Sequence, residues 1–405
     1  MTDVLDEPAE ILGFDPFEPG FRLDPYPRYD ALRARGALFR TAGGLLVATA
    51  HRMVSRIFRD PRFGHQSGVR GPVPFRRGSG GGGGTRWFVV LDPPDHTRLR
   101  RLIGHAFTPR LVAGLAPRAA ELARRQLAAA MADGPGDLIE NWAYPYSLTM
   151  ISDLLGVPYG DRELIQRWSG IIVRGIDPDF VLSPAEIDER GRAFRDVAAY
   201  FTELVRDRRA RPGDDLLGQL TRIEERGDVL TLDELVATCT LLLVAGHETV
   251  VDLLGNATLT LLRHPQAARE LRDGDRDPQV AVDELLRYDP PVQMIMRTAL
   301  VDCDVDGVPV RRGDMVLLMI GAANRDPAVY ADPGRLDLGR RGERHLAFGA
   351  GIHYCLGAPL GRLEGSAALT TLVRNAPGLA LTDEPLRYRD NLMARGLAGL
   401  PVRWR

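Results

Sequence analysis

The 405-residue sequence predicts a mainly α-helical protein with a minor β portion. Apolar residues recur at helical spacing over much of the chain, and the longest such pattern runs from Leu232 to Arg263. Only a few short stretches favour strands. Hydrophobic residues make up 44% of the chain, which is enough for a large buried core and excludes wholesale disorder.

The helical pattern is strongest in three segments, at residues 122–131, 193–209 and 232–263. In the longest segment, Thr231 and Glu234 form a capping-box pattern at the start, and Pro265 follows the end. A helix of this length spans about 45 Å, the width of a whole domain. Its apolar residues lie nearly all round the helix, so we expect it to run through the centre of the molecule.

Strand-like runs occur at residues 45–48, 308–310 and 315–319. The last two flank Arg311-Arg312-Gly313-Asp314, a turn-forming sequence, so we expect them to pair as a hairpin. No internal repeat or linker divides the chain, which predicts a single domain over residues 1–405.

Two segments fall outside this pattern of helices and strands. The first 20 or so residues are expected to form an N-terminal tail. The glycine-rich tract at residues 78–84 lacks the Gly-Lys-Ser/Thr ending of a phosphate-binding loop. It favours instead a mobile loop over about residues 64–90.

Charge and cysteine content exclude several classes of protein. The net charge is −2, so no overall basic field indicates nucleic-acid binding. Cys239, Cys303 and Cys355 are too few for a disulfide scaffold and indicate a reducing compartment. All 52 basic residues are arginine, which excludes lysine-dependent catalysis. The acidic start and the lack of an uninterrupted membrane-length apolar run predict a cytoplasmic protein that binds no membrane.

The stretch 348–357 carries the clearest chemical signal. Its sequence is Phe-Gly-Ala-Gly-Ile-His-Tyr-Cys-Leu-Gly, and its first two glycines permit a tight turn. Cys355 comes just before a helical pattern, and a helix N-terminus stabilises a thiolate. One thiolate on a glycine-rich loop suits a single axial position on a flat metal cofactor. Zinc would need more ligands, and a buried structural cysteine is the alternative.

These ten residues match the haem-binding signature of the cytochrome P450 family at each defined position. The chain therefore resembles the soluble, actinobacterial-type members of that family. The resemblance implies haem b with Cys355 as its thiolate ligand, and it places Phe348, Gly349, His353 and Gly357 at the cofactor. It also implies the P450 fold, with the long helix lying over the haem.

A second motif of the family is its Glu-x-x-Arg pair, which Glu284 and Arg287 match. Alone, such a pair would indicate a solvated ion pair on a helix. In the family, an arginine from a later segment completes the pair, and Arg340 is the candidate here. By the resemblance, these residues lock the loop that presents the cysteine.

The third motif is Ala245-Gly246-His247-Glu248-Thr249, in the middle of the long helix. Polar residues there would ordinarily mark an exposed face, but the apolar residues on both sides indicate burial. Thr249 can bond back to the carbonyl of Ala245 or Gly246. The segment matches the family's oxygen-activation motif. By that resemblance, Glu248 and Thr249 are the acid–alcohol pair that relays protons, and Ala245 contacts the haem.

The fourth motif is formed by His96 and Arg100, which lie one helical turn apart. Alone, they would indicate a basic cluster on the surface. They resemble the family's His-x-x-x-Arg, which binds the haem propionates together with Arg297 and His353. The resemblance therefore covers most of the chain.

The family's topology also implies a largely apolar substrate pocket, with the loop over residues 64–90 covering it. Its methionines can form an adaptable wall, although methionine more often fills a core. The candidate pocket residues are Leu242, Leu243, Val292, Met294, Ile295, Met296 and Met393.

The haem domain accounts for the whole length, so we expect electrons to come from NAD(P)H through a ferredoxin reductase and a ferredoxin. The protein itself is expected to be a monomer. Arginines near the haem-binding motifs can form the docking face, although ordinary solvated arginines fit the sequence equally well. They are Arg98, Arg101, Arg341, Arg344 and Arg362.

The sequence thus predicts a haem-thiolate monooxygenase that inserts one atom of O2 into an apolar, secondary-metabolite substrate by hydroxylation or epoxidation. Oxidative coupling or ring formation is the alternative within the enzyme class. A non-catalytic haem-binding helper protein is the alternative outside it. Such a helper has no need of Cys355, Glu248 and Thr249 together.

Overall fold

The computed structural model describes residues 7–65, 87–132, 134–211, 213–225 and 227–404. The glycine tract at 78–84, and with it most of the predicted loop over 64–90, lies outside these residues. The α-helices of the described chain are α1 (Glu7–Leu12), α2 (Tyr26–Ala34), α3 (His51–Arg59), α4 (Asp95–Ala106), α5 (Pro109–Gly114), α6 (Ala116–Ala132), α7 (Tyr144–Leu155), α8 (Arg162–Arg174), α9 (Pro184–Ala210), α10 (Leu216–Thr221), α11 (Leu232–Arg263), α12 (Pro265–Asp273), α13 (Pro278–Tyr288), α14 (Ile320–Ala323) and α15 (Ala358–Asn375).

The β-strands are short, so the prediction of a mainly α protein with a minor β portion is confirmed. They are β1 (Leu38–Arg40), β2 (Leu46–Ala48), β3 (Phe63–Gly64), β4 (Gly136–Asp137), β5 (Glu224–Glu225), β6 (Asp228–Val229), β7 (Met294–Ala299), β8 (Cys303–Val305), β9 (Val308–Val310), β10 (Met315–Met319), β11 (Ala380–Leu381), β12 (Arg387–Tyr388), β13 (Leu397–Gly399) and β14 (Pro401–Arg403).

Helix α11 is the central helix, and it packs against α7, α8, α9, α13 and α15. The predicted capping box is confirmed: Thr231 Oγ1 accepts from the N–H of Glu234 at 3.2 Å, and Glu234 Oε2 accepts from the N–H of Thr231 at 2.8 Å. By length and composition α11 could cross a membrane, which a search for an uninterrupted apolar run misses. Because 67% of its most apolar window is buried inside the protein, it has the packing of a core helix.

The largest sheet has the strand order β1-β2-β10-β7-β3. In it, β10 runs parallel to β2 and antiparallel to β7, with Leu317 opposite both Val47 and Met296. One face of this sheet packs against α3, and the other packs against the N-terminal segment. The main hydrophobic core surrounds α11. The sheet lies between two smaller cores: the second core is on the side of α3, and the third core is on the side of the N-terminal segment.

The predicted hairpin between residues 308–310 and 315–319 is wrong. Strand β9 pairs with β8, whereas β10 belongs to the large sheet. The tight turn lies instead at Asp306 and Gly307, whose φ values of 53° and 83° are those a two-residue hairpin turn requires. Asp-Gly between short apolar strands is a stronger hairpin signal than the longer turn at 311–314.

The predicted N-terminal tail over residues 1–20 is in part a packed segment. Helix α1 lies within it, and Ile11, Leu12 and Phe14 are each at most 4% exposed. They join Tyr29 and the sheet in the third core. This short apolar cluster was missed because the chain starts with acidic residues. Removing its apolar side chains from water stabilises the folded protein.

Candidate active site

The signature segment at 348–357 forms a loop that depends on its glycines. Gly349 and Gly351 have φ values of 68° and 71°, in the left-handed region that residues with side chains rarely adopt. A Cβ atom on Gly351 would also lie 2.3 Å from the carbonyl oxygen of Phe58, near the end of α3. The absence of that atom allows the loop to pack directly on α3.

Cys355 lies at the end of this loop, just before α15. Burial raises the pKa of its thiol, while hydrogen bonds from the N–H groups of Gly357 and Ala358, and the charges of Arg100 and Arg362, act in the opposite direction. The side chain nevertheless has the accessible surface of an exposed residue. The sulfur is therefore accessible on one side, toward an internal opening, and is covered by protein on its other sides. A metal bound at such a thiol deprotonates it.

Three histidine rings meet beside the loop. The ring centroid of His353 lies 4.1 Å from that of His96 and 4.8 Å from that of His65. Asp92 accepts hydrogen bonds from the backbone N–H of His65 at 3.0 Å. The ring nitrogens of His96 and His353 are buried and bond to no described residue. Buried polar atoms normally have a partner, and a bound group can supply one here.

Arg100 and Arg297 add positive charge to this cluster. Burial, with further contributions from Arg297, His96 and Arg100, lowers the pKa of His353 to about 3. Cations and buried donors together suit a ligand that carries carboxylates. The residues that the resemblance assigns to the propionates thus lie together, and they fit the two propionates of a haem. The accessible thiol of Cys355 fits its axial position.

The middle of α11 presents an accessible face formed by Ala245 and Thr249. Ala245 is exposed and Thr249 is half-buried, although the helix around them is buried. Thr249 Oγ1 donates to the carbonyl of Ala245 at 2.7 Å, as the sequence suggested. Leu242 lies one turn earlier on the same face and is also half-buried. This face of α11 therefore lines an opening.

Glu248 lies on a different face of α11, and its side chain is only 1% exposed. Its Oε2 pairs with Arg389 and accepts from the hydroxyl of Tyr144 at 2.9 Å. Arg389 also pairs with Asp252, one turn along the helix. Burial alone would raise the pKa of Glu248, but these partners and His247 lower it. Because burial lowers the pKa of His247, that ring is neutral, and we attribute the charge on Glu248 to Arg389.

Sequence reasoning missed Arg389, Tyr144 and Asp252 as the surroundings of Glu248. Arg389 is 141 residues from Glu248 along the chain, and no motif connects them. Gly396 allows Arg389 and Asp252 to come together, because a Cβ atom at position 396 would collide with the Asp252 side chain.

The predicted pocket residues divide between accessible and buried positions. Leu242, Val292 and Ile295 are half-buried. By contrast, Leu243 lies in the main core, and Met294, Met296 and Met393 lie in the third core. Alternation along β7 places Ile295 on the same face as Arg297, with the neighbouring methionines on the other face. The packing of the methionines is that of core filling, the alternative that the sequence left open.

Glu284, Arg287 and Arg340 form a buried ion-pair cluster. Glu284 Oε2 pairs with Arg287 Nε at 2.7 Å, and Glu284 Oε1 pairs with Arg340 Nε at 3.2 Å. Arg287 Nη1 donates to the carbonyl of Asn324 at 3.0 Å, and Asn324 Oδ1 accepts from the N–H of Leu346 at 2.7 Å. The cluster is thus connected to the chain just before the signature segment.

The arginines suggested as a docking face have different surroundings. Arg98 pairs with Asp228 and Glu234, and Arg362 pairs with Asp283. Arg341 and Arg344 are exposed. Sequence reasoning missed Arg52, Arg56 and Arg59, whose side chains are exposed along one face of α3. Their helical spacing was visible in the sequence, but nothing there placed α3 beside the cysteine loop.

The fold is mainly α-helical, and the residues of the site fit a flat, carboxylate-bearing cofactor beside the accessible thiol of Cys355. The family model described as Cytochrome P450 matches residues 279–377. The chain is 39% identical to Vitamin D(3) 25-hydroxylase from Pseudonocardia autotrophica, over 96% of each protein. It is 38% identical to cytochrome P450 monooxygenase PikC from Streptomyces venezuelae, over 95% of this chain and 92% of that protein.

A solved structure gives the same result. P450BioI, crystallised in complex with an acyl carrier protein carrying hexadec-9Z-enoic acid, is 35% identical and superposes with a TM-score of 0.84. The alignment covers 95% of this chain and all of that one. The chain therefore belongs to the cytochrome P450 family, and it is a P450 monooxygenase. The family works with a haem-thiolate cofactor, O2 and redox partners.

Proposed function

We propose that Cys355 is the thiolate ligand of the haem iron and that oxygen transfer takes place between the cysteine loop and the accessible face of α11. The observation that carries this proposal is the Cys355 thiol, which is accessible yet surrounded by the N–H groups of Gly357 and Ala358 and by cations. When bound, the haem activates O2 so that one oxygen atom enters the substrate. The protein's own residues hold the cofactor, exclude water and deliver protons.

The propionates are held, in this proposal, by His96, Arg100, Arg297 and His353. The buried ring nitrogens of the two histidines would then gain acceptors, and the two arginines would attract the carboxylates. Since the cluster lies beside the cysteine loop, it would bind the propionates while Cys355 would bind the iron.

Glu248 and Thr249 are the proposed route for protons. The Thr249 hydroxyl lies on the accessible face, and its bond to the Ala245 carbonyl holds it there. Glu248 is ionised beside Arg389, and Tyr144 and Arg389 are only partly buried. Protons can therefore reach Glu248 from the solvent beside these two side chains, while the Arg389 guanidinium keeps its own. To pass a proton to Thr249, the Glu248 carboxylate must turn away from Arg389.

The proposed substrate is apolar, because the accessible residues among the candidate pocket positions are Leu242 on this face and Val292 and Ile295, which the resemblance places in the pocket. P450BioI was crystallised with a fatty acid on a carrier protein, so carrier-bound as well as free substrates belong in the test. We place the enzyme in the cytoplasm, with electrons passing from NAD(P)H through a ferredoxin reductase and a ferredoxin.

The ferredoxin is proposed to dock on the face of α3 that carries Arg52, Arg56 and Arg59. These arginines line a cleft of about 430 Å³, to which Glu343 contributes an acid, and Arg56 also pairs with Asp306. The cysteine loop packs on α3 at Gly351, and the neighbouring Ile352 is 53% exposed. An acidic electron donor bound there would lie close to Cys355.

The first experiment reconstitutes the protein with haem and records the absorption of the ferrous–CO complex. Wild type is expected to show the thiolate-shifted band, and Cys355→Ala is expected to lose it because no other thiol replaces the ligand. Cys303→Ala serves as the matched control and should keep the band. An unshifted band in wild type, or a shifted band in Cys355→Ala, contradicts the proposal.

Turnover with a surrogate ferredoxin system and isotopically labelled O2 then separates the reaction classes. Monooxygenation adds one labelled oxygen atom to the product. Oxidative coupling removes hydrogen without adding oxygen, and a helper protein gives no product with any free or carrier-bound substrate.

A further inference from the structure

Asp283 precedes Glu284 on α13, and its carboxylate contacts both flanks of the signature segment. Its Oδ1 accepts from Arg362 Nε at 2.7 Å and from His345 Nε2 at 3.1 Å. His345 comes three residues before the segment, and Arg362 lies on α15, seven residues after Cys355. Sequence patterns gave no role to Asp283 or His345, and Arg362 enters the proposed function only as one of the cations beside Cys355.

The His345 side of this cluster connects Asp283 to the start of the loop. The backbone N–H of Ala347 donates to His345 Nδ1 at 3.2 Å, so Nδ1 carries the lone pair of a neutral ring. The ring hydrogen is then on Nε2 and points to Asp283. Ala347 is joined to Phe348, whose carbonyl accepts from the N–H of Cys355 at 2.9 Å.

The Arg362 side connects Asp283 to the end of the loop. Arg362 Nη1 donates to the hydroxyl of Tyr354 at 3.3 Å, and its guanidinium carbon lies 4.6 Å from the centroid of the Phe348 ring. Tyr354 is the residue before Cys355. The Arg362 guanidinium therefore contacts both Phe348, the first residue of the signature segment, and Tyr354, the residue next to Cys355.

The carboxylate of Asp283 is charged in this setting. Burial alone would raise its pKa, but the hydrogen bonds from His345 and Arg362 and the charge of Arg362 lower it. The Asp283 side chain is 39% exposed, so solvent weakens both contacts. Even so, a single negative charge fixes two donors that approach the loop from opposite ends, and it offsets part of the Arg362 charge beside Cys355.

We propose that Asp283 is a positioning residue for Cys355, holding the two ends of the signature segment through His345 and Arg362 and setting the net charge beside the thiolate. This inference rests on the proposed function, since it concerns the residue assigned there as the iron ligand. It differs from the role of Glu284, which binds Arg287 and Arg340 on the other side of α13.

The test compares Asp283→Asn, which removes the charge but keeps an acceptor, with Asp283→Ala, which removes both contacts. Asp273→Asn is the matched control, because it loses the same charge at an exposed pair with Arg272 on α12.

In the haem-loaded protein, both Asp283 variants are expected to raise the midpoint reduction potential, since a negative charge near the iron is lost. Asp283→Ala is also expected to lose the thiolate-type ferrous–CO band about tenfold faster than wild type. Asp273→Asn should match wild type in both measurements.

Hydrogen exchange of the haem-free protein gives a second measurement that does not depend on iron ligation. Amides of residues 346–355 are expected to exchange about tenfold faster in Asp283→Ala and about threefold faster in Asp283→Asn, while those in α11 stay unchanged. If both variants match Asp273→Asn in potential, band loss and exchange, the inference is wrong. If exchange responds while wild type lacks the thiolate band, the assignment of Cys355 fails and the positioning by Asp283 stands.

Discussion

At the scale of single residues, three buried glutamates show how differently one side chain can be held. Glu248 is 1% exposed and is ionised beside Arg389. Glu284 is 3% exposed and pairs with two arginines. Glu364, on α15, is 2% exposed, and its Oε2 bonds to no described residue. An isolated buried carboxylate is costly when charged, so its neutral form is favoured.

Glu364 is therefore expected to make stability fall as the pH rises. Burial raises its pKa to about 8, above the unfolded value near 4.5, so the folded state binds the extra proton between these two values. Its contribution is fully present below pH 4.5 and is lost as the pH rises through 8. Relative to Glu364→Gln, which stays neutral, wild type should lose about 1.4 kcal/mol per pH unit across this window. Urea unfolding at pH 5, 6.5 and 8 measures the difference.

The control for this prediction is Glu203→Gln, because the Glu203 side chain is 74% exposed. Its free energy of unfolding should run parallel to that of wild type over the same pH range. If the difference between wild type and Glu364→Gln is the same at pH 5 and pH 8, Glu364 titrates normally and the prediction is wrong.

At the scale of elements, the cysteine loop and α3 fit together only because Gly351 has no side chain. Gly349 and Gly351 both adopt positive φ, but their surroundings differ. A Cβ atom on Gly349 would meet its nearest neighbour, on Phe58, at an ordinary 3.8 Å, whereas one on Gly351 would lie 2.3 Å from a backbone oxygen. The pair therefore separates the cost of backbone strain from the cost of a clash.

Alanine at each position is expected to destabilise the protein to a different extent. Gly349→Ala should cost about 1–2 kcal/mol of unfolding free energy, from the left-handed backbone alone. Gly351→Ala should cost about 2 kcal/mol more and reduce the fraction of protein with the thiolate band, because α3 and the loop must move apart. Gly334→Ala is the control, since its added Cβ atom meets nothing within 4 Å. Equal effects at Gly349 and Gly351 would show that the loop and α3 move apart at no cost, and the expected clash penalty at Gly351 would be wrong.

Elements with local signals were the most predictable from sequence. Helix α11 has its capping box at Thr231 and Glu234, and its apolar pattern is continuous. Strand β10 has a clear apolar run, but its partners β2 and β7 lie far away in the chain, so its pairing could not be read from neighbouring residues. The turn at 311–314 looked like a hairpin because periodicity cannot show that the chain changes sheets there.

At the scale of the whole molecule, the same limit applies to the site. Cys355, His96 and Thr249 were found through local motifs, each within a few residues of its signal. Arg389, Asp283 and the arginines of α3 were not, because they reach the site only through the fold. Their approach depends on long-range packing, such as the contact between Gly396 and Asp252, which no sequence spacing encodes.

The basic face of α3 is the last feature that appears only at this scale, and it predicts how electrons reach the molecule. Replacing Arg52, Arg56 and Arg59 together by Gln should slow reduction by an acidic ferredoxin about tenfold at low salt, because the complementary charge is lost. The rate of the variant should also depend less on salt than that of wild type.

The control variant replaces three other exposed arginines, Arg124, Arg125 and Arg206. Stopped-flow reduction in the presence of CO measures both rates. Equal slowing in the two triple variants would mean that only net charge matters, and α3 would not be the docking face.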